Sequence, residues 1–260
     1  MVKKLGRKQS LSNEDWLNTT ANIESLVTFE EISAVEQQAV ADILAQAKGK
    51  KVAYAWSGGK DSIVLGALCE QAGITDCVLG ISNLEFPAFL DWVDKNKPAG
   101  LEIMNTGIDM EWLAKNQHLI FPDAPGLARW CEEIHIKVQT LYFRQQNLDM
   151  LLLGRRKAEG NFCGRGGNIY TNGKGITYYS PLSDWSHEHI LAYIHYNNLP
   201  LPPFYEWVNG YKRGTHAWPM RPGCKTKDEG WRETYIIAPE IVKAAAEHIE
   251  SAKAFLEGVE

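Results

Sequence analysis

The sequence predicts an α/β protein with a mainly parallel sheet, helices on both faces of that sheet and an irregular C-terminal elaboration. Short apolar segments alternate with segments of helical periodicity over most of the 260 residues. The apolar segments are continuous, which is typical of strands that are covered on both faces. This alternation ends near residue 206, where the sequence becomes irregular, aromatic and basic.

The first predicted elements surround a glycine-containing loop. We expect residues 1–20, which are polar, to be loosely held. A helix is predicted over Ile23–Lys48, because apolar residues recur there at roughly helical spacing before Gly49. A buried strand at Val52–Trp56 leads into the loop, and the loop leads into a helix at Ser62–Gln71.

The middle of the chain repeats this pattern. Further strands are predicted at Cys77–Ser82, Leu101–Asn105 and Met150–Gly154, and helices at Pro87–Lys95, Asp109–Asn116, Leu127–Gln146, Trp185–Asn197 and Pro239–Leu256. Ser183 or Asp184 would cap the helix that begins at Trp185. The glycine-rich stretch Gly160–Gly175 predicts a surface loop or mobile flap, and the prolines of Leu199–Tyr205 predict an extended segment.

Composition and charge argue against several classes of protein. A net charge of −5 is a poor match to sequence-blind nucleic-acid binding. There is no run of about 18 apolar residues, so we expect no transmembrane helix, and the basic start lacks the apolar stretch of a secretory signal. The five cysteines are scattered, without a CxxC pair, which argues against a disulfide framework and a four-cysteine metal site. We therefore expect a reduced, cytoplasmic protein.

The segment that points to chemistry reads Ser57-Gly58-Gly59-Lys60-Asp61-Ser62. It lies between a predicted strand and a predicted helix. Glycines let backbone N–H groups approach a ligand closely, and the following helix directs its unpaired amides and positive dipole end to the same place. Two serine hydroxyls and the lysine charge would add to these donors. The segment therefore predicts a site for a phosphate, pyrophosphate or sulfate group.

Other phosphate-binding motifs fit poorly. Ahead of Lys174, Asn168 stands where a P-loop needs its first glycine, and Gly175 replaces the Ser or Thr that should follow the lysine. A dinucleotide fingerprint beginning at Gly164 fails at Ile169, which takes the position of the last glycine. The kinase signature set is also missing.

SGGKDS after a strand resembles the signature of the PP-loop ATP pyrophosphatase superfamily, and the wider pattern resembles its phosphoadenylylsulfate (PAPS) reductase branch. Four further stretches carry the resemblance: NLEFPAFLDWV at 83–93, ARWCEEIHIKVQTL at 128–141, LLLGRRKAEG at 151–160 and YSPLSDWSHEHILAYIHYNNLPLPPFY at 179–205. The resemblance implies an adenine nucleotide alpha-hydrolase-like, Rossmann-like fold. We expect a nucleotide-binding domain at 49–205, after a helical extension at 1–48 and before an aromatic and basic segment with a terminal helix at 206–260.

The resemblance also implies a ligand pose. The adenine would lie near Ala55, Trp56 and Ile81, at the ends of the first two strands, and the phosphates or sulfate would lie on Ser57–Ser62. Further contacts would come from Gly154 and from four cationic side chains, those of Arg129, Lys137, Arg155 and Arg156. The ligand implied is ATP, or alternatively PAPS or adenylylsulfate (APS).

The same resemblance implies two alternative reactions. In the first, ATP is cleaved between its α and β phosphates, an acceptor oxygen is adenylylated, and Mg²⁺ neutralises the departing pyrophosphate. Asp61 would hold Mg²⁺ and assist, while Lys60 and Arg155 would stabilise developing charge. In the second, a cysteine in a C-terminal Glu-Cys-Gly-x-His tail attacks the sulfur of an adenylylated sulfate and releases sulfite. This chain has no such tail, because no cysteine follows Cys224.

Cys224 is the fallback nucleophile for the second reaction, since nearby cations would lower its pKa, although an ordinary loop thiol is the simpler interpretation. Cys131 is interpreted as structural or as part of the site wall. Thr215 and Trp218 replace two cysteines that some relatives carry, so no iron–sulfur cluster is expected.

A third alternative is a non-catalytic nucleotide-binding subunit. The sequence does not identify the acceptor. Residues 206–232 combine tryptophans with cations, which predicts either stacking on a nucleotide or nucleic-acid acceptor or a cap that aromatic side chains hold together. We expect no membrane partner and leave a homo-oligomer open.

Overall fold

A six-stranded sheet forms the centre of the molecule in a computed structural model that describes residues 4–6 and 11–259. Its strands are β1 (Val52–Ala55), β2 (Cys77–Ile81), β3 (Leu101–Asn105), β4 (Met150–Leu152), β5 (Ile169–Thr171) and β6 (Thr177–Tyr179). The order across the sheet is β3-β2-β1-β4-β6-β5, and every neighbouring pair is parallel except the β5–β6 hairpin. The prediction of a mainly parallel sheet is therefore confirmed.

Helices pack around this sheet and at both ends of the chain. They are α1 (Asn13–Ala21), α2 (Phe29–Ala47), α3 (Lys60–Gln71), α4 (Pro87–Asn96), α5 (Met110–Lys115), α6 (Ala124–Cys131), α7 (Lys137–Gln145), α8 (His187–Tyr196), α9 (Gly210–Arg213), α10 (Lys227–Ile237), α11 (Pro239–Ala246) and α12 (Glu250–Glu257). A π-helical turn, Glu132–Ile136, joins α6 to α7. Within the described ranges, no helix combines the length and apolarity that crossing a membrane requires.

The start of the chain differs from the prediction of a loosely held segment. Ser12 caps α1 with a capping box, in which its side chain accepts a hydrogen bond from the amide of Asp15. Trp16, on α1, is buried with 1% of its surface exposed. The prediction was therefore wrong for residues 11–20, because a single large aromatic side chain anchors an otherwise polar helix. For residues 1–3 and 7–10 it lies outside the described part of the chain.

Three smaller predictions were also wrong. The stretch predicted as a loop at 160–175 contains β5, which is stabilised by pairing with β6. The N-cap of α8 is Ser186 and not Ser183 or Asp184. The side chain of Ser186 accepts a hydrogen bond from the amide of His189. The predicted terminal helix is two helices, α11 and α12, and a buried Ile249 lies at the break between them.

The sheet topology places the glycine-containing loop at a switch point. From β1 the chain runs outward to β2 and β3, then returns past β1 to β4 on its other side. Crevices at the carboxyl ends of such strands are where α/β proteins bind ligands. The loop leaves β1 at this edge and leads directly into α3.

Candidate functional site

The loop after β1 is shaped by a glycine that no other residue could replace without strain. Gly58 has a φ of +67°, and a Cβ added to it would lie 2.8 Å from the ring of Phe89 on α4. The side chain of Ser62 closes the loop from within. Its Oγ accepts the amide of Ser57 at 3.0 Å and donates to the carbonyl of Gly59 at 2.9 Å. The two ends of the loop are therefore tied together at the N-terminus of α3.

Three hydroxyl groups lie close to Gly59. A Cβ at this position would lie 3.2 Å from Oγ1 of Thr215, 3.3 Å from Oγ of Ser57 and 3.7 Å from the hydroxyl of Tyr205. The amide of Lys60 donates to that tyrosine hydroxyl at 2.8 Å. The C-terminal part of the chain thus closes over the loop, and it occupies one of the amides at the start of α3.

A buried ion cluster lies beneath the loop and consists of Lys60, Asp61, Arg156 and Glu159. Nζ of Lys60 lies 2.7 Å from Oδ2 of Asp61 and 2.7 Å from Oε1 of Glu159. Nε of Arg156 lies 2.6 Å from Oδ1 of Asp61, and its Nη2 lies 3.1 Å from Glu159. The ring of Trp16 covers the lysine, with Nζ 5.1 Å from the ring centroid. Two cations and two carboxylates balance within this cluster.

The cluster keeps Asp61 ionised. Burial by itself would raise the pKa of this carboxyl, but the charges of Lys60 and Arg156 lower it below its ordinary value. Burial likewise opposes the charge of Lys60, and the two carboxylates raise the pKa of this lysine above its ordinary value. The adjacent His187 has a pKa lowered to about 4 by burial and by the charge of Arg156, so it is neutral at pH 7.

A cavity of about 470 Å³ opens beside the loop, at the carboxyl ends of β1, β2 and β4. From the loop, Ser57, Asp61 and Ser62 line it. Its other walls come from the strand ends, from the α6–α7 region and from the segment that follows α9, and include Ala55, Trp56, Val78, Gly80, Cys131, His135, Gln139, Leu153, Gly154, Arg155, Glu159, Thr215 and His216. This volume falls in the range of small-molecule sites, which is about 300–1,000 Å³.

The side chain of Arg155 lines this cavity, and two contacts hold its guanidinium group in place. Its Nη1 donates to the hydroxyl of Tyr170, and its guanidinium lies 5.9 Å from the ring centroid of Tyr178. Both tyrosines belong to the β5–β6 hairpin. The preceding Gly154 allows a close approach, because a Cβ there would lie 3.0 Å from the carbonyl of Asp61. The end of β4 is therefore packed directly against the start of α3.

Several residues expected to contact the ligand lie away from the cavity lining. Gly58 and Gly59 form the turn of the loop, and Lys60 and Arg156 belong to the buried ion cluster. Ile81 ends β2 without lining the cavity. Two others are exposed: Arg129 pairs with Glu133, and Lys137 lies 4.0 Å from the same carboxylate.

The two cysteines singled out from the sequence lie in different places. Cys131 lines the cavity, whereas Cys224 is half-buried near Arg221 and does not. Burial raises the pKa of both thiols, which disfavours their thiolate forms.

The tryptophans of the C-terminal segment favour the interpretation of that segment as a cap held together by aromatic side chains, because Trp218 and Trp231 are buried in the core.

Sequence reasoning did not identify four polar side chains near the loop, those of Glu85, His135, Gln139 and His216. Glu85 follows the carboxyl end of β2, and that position was the available signal, since parallel strands present functional groups there. His216 lies more than 150 positions beyond the loop in sequence, and no local pattern connects the two.

The family model described as the phosphoadenosine phosphosulfate reductase domain matches residues 51–213. The chain belongs to this family. The PAPS reductase family is a branch of the PP-loop ATP pyrophosphatase superfamily, and we therefore call Ser57–Ser62 the PP-loop. The match leaves the N-terminal helices α1 and α2 and the C-terminal helices α10 to α12 outside it.

The chain is similar to several solved structures. A PAPS reductase from Candida auris, solved as a phosphate complex, is 17% identical with a TM-score of 0.52 and covers 69% of this chain and 92% of that one. An NH3-dependent NAD synthetase from Campylobacter jejuni is 14% identical with a TM-score of 0.47, covering 86% and 96%. An NMN synthetase from Francisella tularensis is 17% identical with a TM-score of 0.46, covering 65% and 71%. Comparison with curated proteins gave no match.

Proposed function

We propose that the protein binds ATP at its PP-loop and cleaves it between the α and β phosphates to adenylylate an acceptor. The observation that carries this proposal is the position of the loop, whose hydroxyls border a cavity of about 470 Å³ at the switch point of the sheet. Serine hydroxyls and the N-terminus of α3 suit phosphate oxygens. Membership of the PAPS reductase family supports an adenine nucleotide as the ligand.

Asp61 suits a Mg²⁺ ion carried by the nucleotide phosphates. Its carboxylate borders the cavity, its ion pairs keep it charged, and each oxygen retains acceptor capacity beyond its bond to Lys60 or Arg156. Magnesium in nucleotide sites is commonly held by one or two carboxylates together with water and phosphate oxygens. When bound, the ion would neutralise charge on the departing pyrophosphate.

Arg155 would stabilise the charge that develops in the transition state, because it is the guanidinium that lines the cavity. Lys60 has a different role in this proposal. Its Nζ is engaged by Asp61 and Glu159 beneath the loop, so it would act by holding Asp61 in place and not by contacting phosphate.

The test compares the wild type with Arg155→Ala and with Arg165→Ala as a matched control. Both arginines are near the β5–β6 hairpin, but Arg165 is exposed and lies away from the cavity lining. Thermal shifts are measured with ATP, AMP, PAPS and APS, and the release of AMP and pyrophosphate from MgATP is measured alongside. A ligand at 100 times its dissociation constant should stabilise the protein by about 2.7 kcal/mol.

We expect ATP to stabilise the wild type and Arg165→Ala equally. Both proteins should also form AMP and pyrophosphate at the same rate, with one molecule of pyrophosphate for each AMP. In Arg155→Ala, turnover should fall by about 10²–10³-fold, as for other groups that stabilise transition-state charge. Absence of any ATP shift in the wild type, or release of ADP and phosphate in place of AMP and pyrophosphate, would contradict the proposal.

A second candidate function is reduction of PAPS or APS, which the family description and the cavity position of Cys131 favour. In that reaction a thiolate attacks the sulfur and expels the adenine nucleotide, and a dithiol reductant then releases sulfite. Sulfite release with dithiothreitol would support it, with Cys131→Ser and Cys224→Ser identifying the thiol. Sulfite formation that survives both substitutions would exclude these two cysteines.

A further inference from the structure

Glu85 lies in a rigid turn directly after β2. Its Oε1 accepts two hydrogen bonds from Ser82, one from the amide and one from the hydroxyl, and each measures 3.0 Å. The hydroxyl of Ser82 in turn accepts the amide of Leu84 at 3.2 Å. Phe86, the next residue, is buried and occupies the N-cap position of α4. The carboxyl group is therefore held in one direction by its own turn.

Glu85 lines a small pocket that lies next to the cavity beside the PP-loop. The pocket has a volume of about 10 Å³, which is close to the space that one water molecule needs. Phe89 and Met220 help to close it. It shares six lining residues with the cavity, namely Ser57, Leu79, Gly80, His135, Thr215 and His216. Because Ser57 belongs to the PP-loop, the pocket is adjacent to the place where phosphates would bind.

None of the residues that line this pocket is a lysine or an arginine that could compensate the charge of Glu85. The titratable groups that face it are His135 and His216. Burial raises the pKa of Glu85 to about 7, although the two hydrogen bonds from Ser82 act in the opposite direction. Burial and the charge of Arg155 lower the pKa of His135 to about 4, so this imidazole is neutral at pH 7.

We propose that Glu85 is the general base of the reaction at the PP-loop, and that the small pocket holds the reacting end of the nucleophile. The inference rests on the proposed ATP cleavage. The nucleophile is an X–H group of about the size of a water molecule, either water itself or a hydroxyl or amine at the end of a larger acceptor. Its lone pair forms a bond to the α-phosphorus, and the bond between that phosphorus and the bridging oxygen breaks. The electron pair leaves with pyrophosphate, and the proton of X–H passes to the carboxylate of Glu85.

The other acidic groups near the loop suit this role less well. Asp61 and Glu159 both accept hydrogen bonds from Lys60 and Arg156. The charges of these two cations lower the pKa of Asp61, and the bonds to Glu159 occupy its Oε1. His135 is a weak base at its lowered pKa. A carboxylate whose pKa lies near the working pH is the better proton acceptor.

The experiment measures ATP affinity by calorimetry and AMP formation from saturating MgATP, with water as the nucleophile, between about pH 5 and pH 9, which is roughly two units to either side of the expected limb. The variants are Glu85→Gln and Ser82→Ala, with the exposed Glu111→Gln as a control. Glutamine has the same shape and can accept both bonds from Ser82. Ser82→Ala keeps the carboxylate but removes one bond that lowers its pKa, so it moves the titration of Glu85 without removing the base.

In the wild type, AMP formation should rise with pH to a plateau above about 7, because only the carboxylate accepts a proton. Glu85→Gln should bind ATP within about twofold of the wild type, lose about 10²-fold or more in rate and lose this rising limb. Ser82→Ala should shift the limb to higher pH, which a purely structural role for Glu85 would not do.

A Glu85→Gln variant with wild-type rate and pH profile would overturn the assignment of Glu85 while leaving the proposed function intact. Loss of ATP binding in this variant would also overturn it, by showing a structural role. A wild type that binds ATP but forms no AMP at any pH would remove the proposed function and this inference together.

Discussion

At the scale of single residues, the buried position of Lys60 determines which groups its charge can contact. The lysine belongs to a phosphate-binding motif, yet its ammonium group is buried against Trp16 and paired with two carboxylates. Its charge is needed where it is, because Asp61 and Glu159 would otherwise share Arg156 alone. Lys60 therefore holds two carboxylates next to the PP-loop, and its ammonium group is not free to contact a ligand there.

We expect Lys60→Met to lower the free energy of unfolding by about 3–5 kcal/mol, because it leaves a buried carboxylate uncompensated. The matched control is Lys97→Met, which removes an exposed pair with Asp94 and should change the free energy of unfolding little, because solvent screens that pair. Adding Glu159→Gln to Lys60→Met should recover part of the loss, since one negative charge is then removed. Urea denaturation measures all four proteins, and equal losses for Lys60→Met and Lys97→Met would contradict the role of the cluster.

At the scale of elements, the π-helical turn at Glu132–Ile136 forms part of one wall of the cavity beside the PP-loop. Gly80 on β2 makes this packing close, because a Cβ there would lie 2.8 Å from the carbonyl of Ile134 and 3.1 Å from the side chain of Val138. His135 and Ile136 of the turn line the cavity. The width of the cavity is therefore set by how closely β2 approaches the turn.

We expect Gly80→Ala to destabilise the protein by about 1–3 kcal/mol, as overpacking does, because the nearest obstructing atom, the carbonyl oxygen of Ile134 at 2.8 Å, belongs to the backbone of the turn. The displaced turn should also weaken ATP binding, by about tenfold for each 1.4 kcal/mol lost from the complex. Gly173→Ala is the control, since a Cβ there meets nothing within 4 Å. Chemical denaturation and calorimetry provide the two measurements, and a Gly80→Ala protein with unchanged ATP affinity would refute the link between this contact and the cavity.

The elements that sequence could predict are those with local signals. β1, the PP-loop and α3 follow from a short apolar run, two glycines and helical periodicity. The short strand β5 has no such signal, because it depends on pairing with β6. The contact between the amide of Lys60 and Tyr205 joins residues 145 positions apart, and α1 packs on the rest of the molecule through the buried Trp16 and Thr19. These features arise from tertiary packing, which local patterns do not encode.

At the scale of the whole molecule, both ends of the chain contribute to the core around the site. Trp16 from α1 stacks on Tyr211 from α9, with ring centroids 5.1 Å apart, and lies edge-on to His187 on α8. The same connected cluster of buried side chains continues through Trp56 to Trp231 on α10. The described residues on either side of 49–205 are therefore packed as part of the main domain, and they share one core with it.

This sharing leads to a prediction for a chain cut to residues 49–205. Such a fragment would expose the surfaces that Trp16, Trp218 and Trp231 now cover, and each large apolar side chain contributes about 1.5–3 kcal/mol when buried. Several such losses together are comparable with the whole stability of a typical domain, which is about 5–15 kcal/mol. We expect the fragment to show no cooperative thermal transition in circular dichroism and no stabilisation by ATP, whereas the full chain shows both. A fragment that unfolds cooperatively would mean that the PP-loop region is a domain on its own, because its own side chains would then suffice to hold the loop in place.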